Sequence, residues 1–179
     1  MSTTAVPMTV EEFLALPGDN NVRRELIGGE VLTMGRGGQP HEVVKSNFIH
    51  ELAVYFKYSP IGRVMSETMF RLSPNDSLMP DVSVVLAGRL KRGQTGLIGI
   101  NPDLAVEVVS SETAADLQGK IELYLEHDVR AVWVAYPELR LVFVHTPAAV
   151  RQLSGGQTLE QQDLLPGFSA PVSAFFEGL

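Results

Sequence analysis

Pro80-Asp81-Val82-Ser83-Val84-Val85 and Leu104-Ala105-Val106-Glu107-Val108-Val109 are two runs rich in β-branched residues, each holding one carboxylate. A helix-like segment with Asp116, Lys120 and Tyr124 follows the second run. On a strand, Leu104, Val106 and Val108 share one face, while Ala105, Glu107 and Val109 share the other. Apolar residues on both faces describe a strand covered on both sides. A carboxylate at Glu107 then loses its hydration unless it is paired or bound to a cation. Asp81 stands where an equally apolar strand begins. Two such carboxylates on neighbouring strands make an oxygen-rich site for a hard cation such as Mg²⁺. Taken singly, either one fits a structural ion pair or a solvated strand end equally well.

Lys120 narrows the choice. Ser110-Ser111-Glu112-Thr113 offers capping residues after the strand. Leu117, Ile121 and Leu125 recur at i, i+4, i+8, which predicts a helix. If that helix starts near Thr113 and runs back along the sheet, Lys120 lies about 10 Å along its axis. Glu107 lies about 7 Å before the strand's end, so the two are level to within a lysine's reach. Asp116, Lys120 and Tyr124 share a helix face. The competing reading is a solvated lysine paired with Asp116 one turn away.

Asp81, Glu107 and Lys120 in this order resemble the PD-(D/E)XK nuclease superfamily. More narrowly, the chain resembles the Uma family of bacterial restriction endonucleases. The likeness covers nearly the whole chain: Glu25-Leu26-Ile27-Gly28-Gly29-Glu30, Pro40-His41-Glu42, Pro80-Asp81, Glu107-Val108-Val109-Ser110, Lys120 to Tyr124, Val132-Trp133-Val134 and Leu165-Pro166-Gly167-Phe168. The superfamily usually carries its lysine two residues after the acidic residue, where this chain has Val109. The family resemblance puts the lysine on the helix, at Lys120. Ser110-Ser111-Glu112-Thr113 stands where the family usually reads Ser-Pro-Ser-Thr, and Ala135-Tyr136-Pro137 where it favours Val-Asp-Pro.

The resemblance implies a restriction endonuclease-like α/β (α+β) fold, with a mixed central sheet flanked by helices and extra N-terminal and C-terminal β-hairpins. It implies a metal-dependent endonuclease that hydrolyses DNA phosphodiester bonds through Asp81, Glu107 and Lys120. Mg²⁺ (or Mn²⁺) would be held by Asp81, Glu107 and the Val108 backbone carbonyl. Glu25 would be an accessory acid, although it also reads as a solvated hairpin position. His41 would lie close to the site, although a lone histidine at a helix start reads more readily as a cap or surface residue.

The chain has 179 residues, 45% of them hydrophobic, which fits one domain over 1–179 with a sizeable core. It has no cysteine, which excludes disulfides and thiolate metal sites. No basic start followed by an apolar run marks a leader, and no apolar segment is long enough to span a bilayer, so a cytoplasmic protein is expected. Net charge is −7, from 14 basic and 21 acidic residues. Non-specific DNA affinity comes from cations that neutralise phosphates, so contact with DNA requires a local patch, a metal or a symmetric groove. A homodimer, matching the symmetry of a duplex, is expected. Two other functions fit the residues: a catalytically degenerate nucleic-acid-binding or assembly module, and a metal-dependent hydrolase of small phosphoesters.

Elsewhere, Thr9 and Glu12 form a capping box ahead of a short helix. Residues 23–27 and 30–34 read as a hairpin around Gly28-Gly29. Gly35-Arg36-Gly37-Gly38-Gln39-Pro40 reads as a loop, and residues 41–58 as a helix with Val44, Phe48, Leu52 and Tyr55 facing the sheet. Strands are expected at 63–66, 69–72, 131–135 and 139–146, with Trp133 in the core and a turn at Pro74-Asn75-Asp76. The glycine-rich stretch 88–99, with Arg89, Lys91 and Arg92, is a candidate nucleic-acid contact or a plain surface loop. Residues 150–153 and 158–159 read as a peripheral hairpin around Gly155-Gly156. Phe175 and Phe176 on a short C-terminal helix either cap the core or mark a dimer surface.

Overall fold

The computed structural model describes residues 6–18, 22–35, 37–90 and 97–179. Arg36, Lys91 and Arg92 lie outside the described residues; Arg89, the remaining cation of the candidate contact loop, pairs with Asp103 at 2.8 Å. The elements run α1 (Val10–Leu14), β1 (Val22–Ile27), β2 (Glu30–Gly35), α2 (Gln39–Tyr58), β3 (Gly62–Ser66), β4 (Phe70–Ser73), β5 (Asp76–Leu78), β6 (Val82–Leu86) and β7 (Leu104–Val108). They continue with α3 (Ala114–Glu126), β8 (Ala131–Tyr136), β9 (Leu141–His145), β10 (Val150–Ser154), β11 (Thr158–Glu160), β12 (Ser169–Pro171) and a 3₁₀ turn at Val172–Phe176. This is a mixed α+β fold around a central mixed sheet.

The central sheet has six strands in the order β10-β9-β8-β7-β6-β3. Strand β7 pairs antiparallel with β6 and parallel with β8. The parallel pair needs a crossover, and α3 supplies it. Alternation along β7 sends its two faces to different cores. Leu104, Val106 and Val108 join Val44, Phe48, Leu52 and Phe56 of α2. Ala105 joins Leu117, Ile121 and Tyr124 of α3, together with Phe70, Leu72 and Leu78 of the second sheet. The double cover inferred from the sequence is therefore present. Tyr55 is the exception on α2: it stays at the edge, donating its hydroxyl to Pro166 O at 3.0 Å, and Phe56 takes the buried place.

The second sheet has four strands, β2-β1-β5-β4. The N-terminal hairpin β1–β2 is where the sequence places it. Its turn uses Gly28 and Gly29 at φ 58° and 80°, the left-handed region that glycine enters without steric cost. A Cβ on Gly29 would also stand 2.7 Å from Met8 N, so the incoming chain packs directly on this turn. The expected turn at Pro74-Asn75-Asp76 ends one residue early, because Asp76 already begins β5. The capping box on α1 is formed, with Glu12 N donating to Thr9 Oγ1 at 3.3 Å and Thr9 N to Glu12 Oε2 at 2.8 Å.

The C-terminal part departs from the expected hairpin. Strand β10 pairs with β9 and forms the sheet edge, while β11 pairs with β12. A turn does lie at Gly155-Gly156, with Gln157 N donating to Ser154 O at 2.9 Å. Beyond it, burial decides: Leu159 joins Leu164, Leu165 and Phe168 in the core below α2 rather than continuing beside β10. Phe175 stacks on Phe48 with ring centroids 4.1 Å apart, and both Phe175 and Phe176 are buried. These two aromatics therefore cap the core.

Candidate active site

The chain crosses from the four-stranded to the six-stranded sheet at Met79-Pro80-Asp81. Pro80 has no N–H to offer a ladder, which suits a corner between sheets. Two side chains of β1 hold that corner. Arg23 and Glu25 are two residues apart and so share a strand face. Glu25 Oε1 accepts from Met79 N at 2.8 Å, and Arg23 donates to Met79 O. Both backbone polar groups of Met79 are thereby paired.

Strand pairing brings the two central carboxylates together. Val82 lies opposite Val106, and one further step in this antiparallel register sets Asp81 opposite Glu107. Asp81 Oδ2 accepts from Val108 N at 2.8 Å and lies 3.2 Å from His41 Nε2; Arg23 donates to Oδ1. Lys120 Nζ donates to Glu107 Oε2 at 2.8 Å, and Tyr124 OH donates to Oε1 at 2.7 Å. Lys120 Nζ also lies 3.2 Å from Glu25 Oε2, which accepts no well-aligned hydrogen bond. Asp81, Glu107, Glu25, His41 and Lys120 are all buried.

The helix position follows from its cap. Thr113 Oγ1 accepts from Asp116 N at 3.1 Å and donates to Asp116 Oδ2 at 2.7 Å. Asp116 is thus occupied at the helix start, and Lys120 points inward with Tyr124 one turn on. The solvated-lysine reading is set aside by this geometry, and so are the solvated reading of Glu25 and the surface reading of His41. His41 heads the stripe that continues in Val44 and Phe48, so the same periodicity that buries those residues buries it too. Arg23 and Tyr124 are site residues to which the sequence reading gave no role. Arg23 was legible as the same-face neighbour of Glu25, and Tyr124 as that of Lys120.

The electrostatics follow from crowding charges in a dry place. Burial alone would raise the Asp81 carboxyl, but His41, Arg23 and the Val108 N–H outweigh it and hold Asp81 well below the usual carboxylate range. Glu107 goes the other way. Burial, with Asp81 and Glu25 nearby, outweighs Lys120 and Arg23 and raises it to about 7. Lys120 is raised despite burial, by Glu107 and Glu25. His41 is also raised despite burial, by Asp81 and then Glu42, whose Oε1 lies 3.2 Å from Nδ1. With a carboxylate at each ring nitrogen, only the protonated imidazole can donate to both. A further buried lysine, Lys45, bridges Glu42 at 2.7 Å and Glu67 at 2.8 Å beside this cluster.

Asp81, Glu107, Val108, Lys120, Arg23 and His41 border a pocket of about 20 Å³, which has room for a water-sized group. Larger clefts flank it. One of about 400 Å³ is bordered by Phe13, Leu16, Arg23, Arg24 and Glu42, and one of about 470 Å³ by Pro40, Val109, Tyr136 and Leu139. His41 borders all three. Among the described residues, no group of three or more His, Cys, Asp or Glu side chains stands arranged to hold a metal ion. The donor set nonetheless fits one kind of cation. Two carboxylates, Asp81 and Glu107, beside Val108 at one small polar pocket suit Mg²⁺, which keeps several of its waters and takes few protein ligands. The under-satisfied Glu25 Oε2 lies behind this pocket, 3.2 Å from Lys120 Nζ.

These features define a nuclease-like α+β fold with a buried cluster of acidic and basic side chains where its two sheets meet. The chain belongs to the Uma2 family, described as "Putative restriction endonuclease", whose profile matches residues 10–173. Its fold is similar to a crystal structure described as "a putative nuclease belonging to DUF820" from Anabaena variabilis ATCC 29413. The TM-score is 0.85 at 21% identity, covering 95% of this chain and 98% of the other. No curated protein matches the chain. Among the described residues, no helix is long and apolar enough to cross a membrane.

Proposed function

We propose that the protein is a divalent-cation-dependent endonuclease that hydrolyses DNA phosphodiester bonds, with the PD-(D/E)XK roles carried by Asp81, Glu107 and Lys120. The supporting observation is the contact of Lys120 with Glu107 at 2.8 Å, on a strand paired with the one that Asp81 precedes. That contact supports reading the Lys120 ammonium as the stand-in for the superfamily's strand lysine, whose usual position is Val109 here. Membership of the Uma2 family supports the same reaction class.

In this reading Asp81, Glu107 and the Val108 carbonyl hold Mg²⁺ or Mn²⁺, and Glu25 assists from β1. The cation, when bound, supplies Lewis acidity toward a phosphoryl oxygen and a lowered pKa for water. Lys120 orients the attacking water and offsets charge that develops on the phosphate. Tyr124 fixes the Glu107 carboxylate by donating to Oε1, leaving Oε2 toward Lys120. His41, buried but bordering both flanking clefts and donating to a carboxylate at each ring nitrogen, adds positive charge where a phosphate backbone would enter. The whole chain acts as one domain, and two copies work as a homodimer on a symmetric duplex. The test is cleavage of plasmid DNA with Mg²⁺ or Mn²⁺ by the wild type, Asp81→Asn and Glu107→Gln. Nicking or linearisation by the wild type alone is expected. Equal rates in all three proteins would refute the site.

A further inference from the structure

We infer that Arg23 is the resident counter-cation of the metal-free site, and that it leaves Asp81 when a divalent cation binds there. The inference rests on the metal-site reading above and adds to it a residue with no assigned part in that chemistry. Three carboxylates, Asp81, Glu107 and Glu25, meet three cationic groups: Arg23, Lys120 and His41. Arg23 holds Asp81 Oδ1, while His41 and the Val108 N–H take Oδ2. A cation on Asp81 therefore has to displace a donor already there. It also brings two positive charges into a cluster whose carboxylates are already paired.

Of the three cationic side chains, Arg23 is the one placed to move. It is 16% exposed, against 4% for Lys120 and 6% for His41. It borders both the small pocket and the 400 Å³ cleft, so a path out is open. Its Nε is buried without a hydrogen-bond partner, which weakens its hold. Its second terminal nitrogen donates to Met79 O and lies 3.9 Å from Glu25 Oε1, so the guanidinium can release Asp81 and remain tethered to the corner. Turned toward the cleft, its planar fork matches a phosphate. Cation and nucleic acid then reinforce each other's binding, because each favours the same position of Arg23.

Mn²⁺ binding to the full chain, followed by the paramagnetic resonance of free Mn²⁺ without nucleic acid, tests this. Arg23→Gln should bind Mn²⁺ about tenfold tighter or more, since one charge-assisted contact to Asp81 no longer competes. Arg23→Lys should stay near wild type, and Asp81→Asn should lose binding. Without cation, Arg23→Gln should melt below the wild type, and Mn²⁺ should raise its Tm by more. A merely structural Arg23 would instead give weaker Mn²⁺ binding in Arg23→Gln. That result, or an unchanged affinity, overturns the inference while loss of binding in Asp81→Asn leaves the metal site standing. Wild-type binding by Asp81→Asn overturns both. If Arg23→Gln does not fold, the Arg23 side-chain NMR signal of the wild type, identified by its absence in Arg23→Lys, decides the matter. It should move as Mg²⁺ saturates, and a stationary signal overturns the inference.

Discussion

Glu107→Gln should change how stability depends on pH in the metal-free protein. In the folded chain burial, helped by Asp81 and Glu25, raises Glu107 from 4.5 to about 7. A carboxyl raised on folding binds its proton more tightly in the folded state. Its contribution is fully present below the unfolded value and is lost as pH climbs through the folded one. At about 1.4 kcal/mol for each tenfold step in the proton equilibrium, the loss is about 3 kcal/mol. His41 works in the same sense, since its pKa is also raised and its contribution fades above 6.5. Asp81 works in the opposite sense and lower down: its pKa is depressed, so its contribution is present above 3.8 and lost as pH falls through the folded value. Urea unfolding in EDTA between about pH 5 and about pH 8 should therefore show falling wild-type stability. In Glu107→Gln, which keeps the shape and has no proton to lose, only the His41 share of the decline should remain. Parallel stability curves for the two proteins would refute the reasoning.

Lys120→Ala should slow single-turnover cleavage by about 10²-fold or more at saturating Mg²⁺, the scale of one lost electrostatic donor, while Mn²⁺ affinity stays largely intact. Lys120→Arg should rescue poorly, because a planar fork does not reproduce a compact ammonium; an unchanged rate in Lys120→Ala would remove Lys120 from the chemistry. Phe175→Ala empties the place of a ring stacked on Phe48 and should cost about 3–5 kcal/mol in urea unfolding. A cost near zero would mean the C-terminal turn does not seal the core. Light scattering at micromolar concentration should give the mass of a homodimer, and a monomer there would count against the assembly.

The centre of the molecule was the most legible part of the sequence. Two β-branched runs and a helix of period 3.6 locate β6, β7 and α3, and one distance estimate along them brings Lys120 to Glu107. What was not legible depends on partners far away in the chain. The stretch 150–159 carries a sound turn signal at Gly155-Gly156, but which strand accepts β11 is decided by Leu159 sinking into the core, and no local pattern records that. Asp76–Leu78 is too short to show a period. His41 reads by residue type as a cap or surface residue, yet its place in the Val44 and Phe48 stripe is what buries it. Arg23 carries no motif of its own, although its spacing from Glu25 puts both on one face. Its partners, Asp81 and the backbone of Met79, come within reach only when the two sheets meet.

That meeting has a consequence for the order in which the site assembles. Strands β5 and β6 are neighbours in the chain, yet they belong to different sheets. Neither sheet by itself can assemble the site. Arg23 and Glu25 come from one, Asp81 and Glu107 from the other or its edge, and Lys120 and Tyr124 arrive only when the crossover helix docks. Contacts between such distant parts of a chain form late, after costly loop closure. A nascent or partly unfolded molecule could thus hold most of its secondary structure and still have no working centre. On the endonuclease reading proposed above, the delay is a safeguard: DNA meets a complete centre only in molecules that have finished folding.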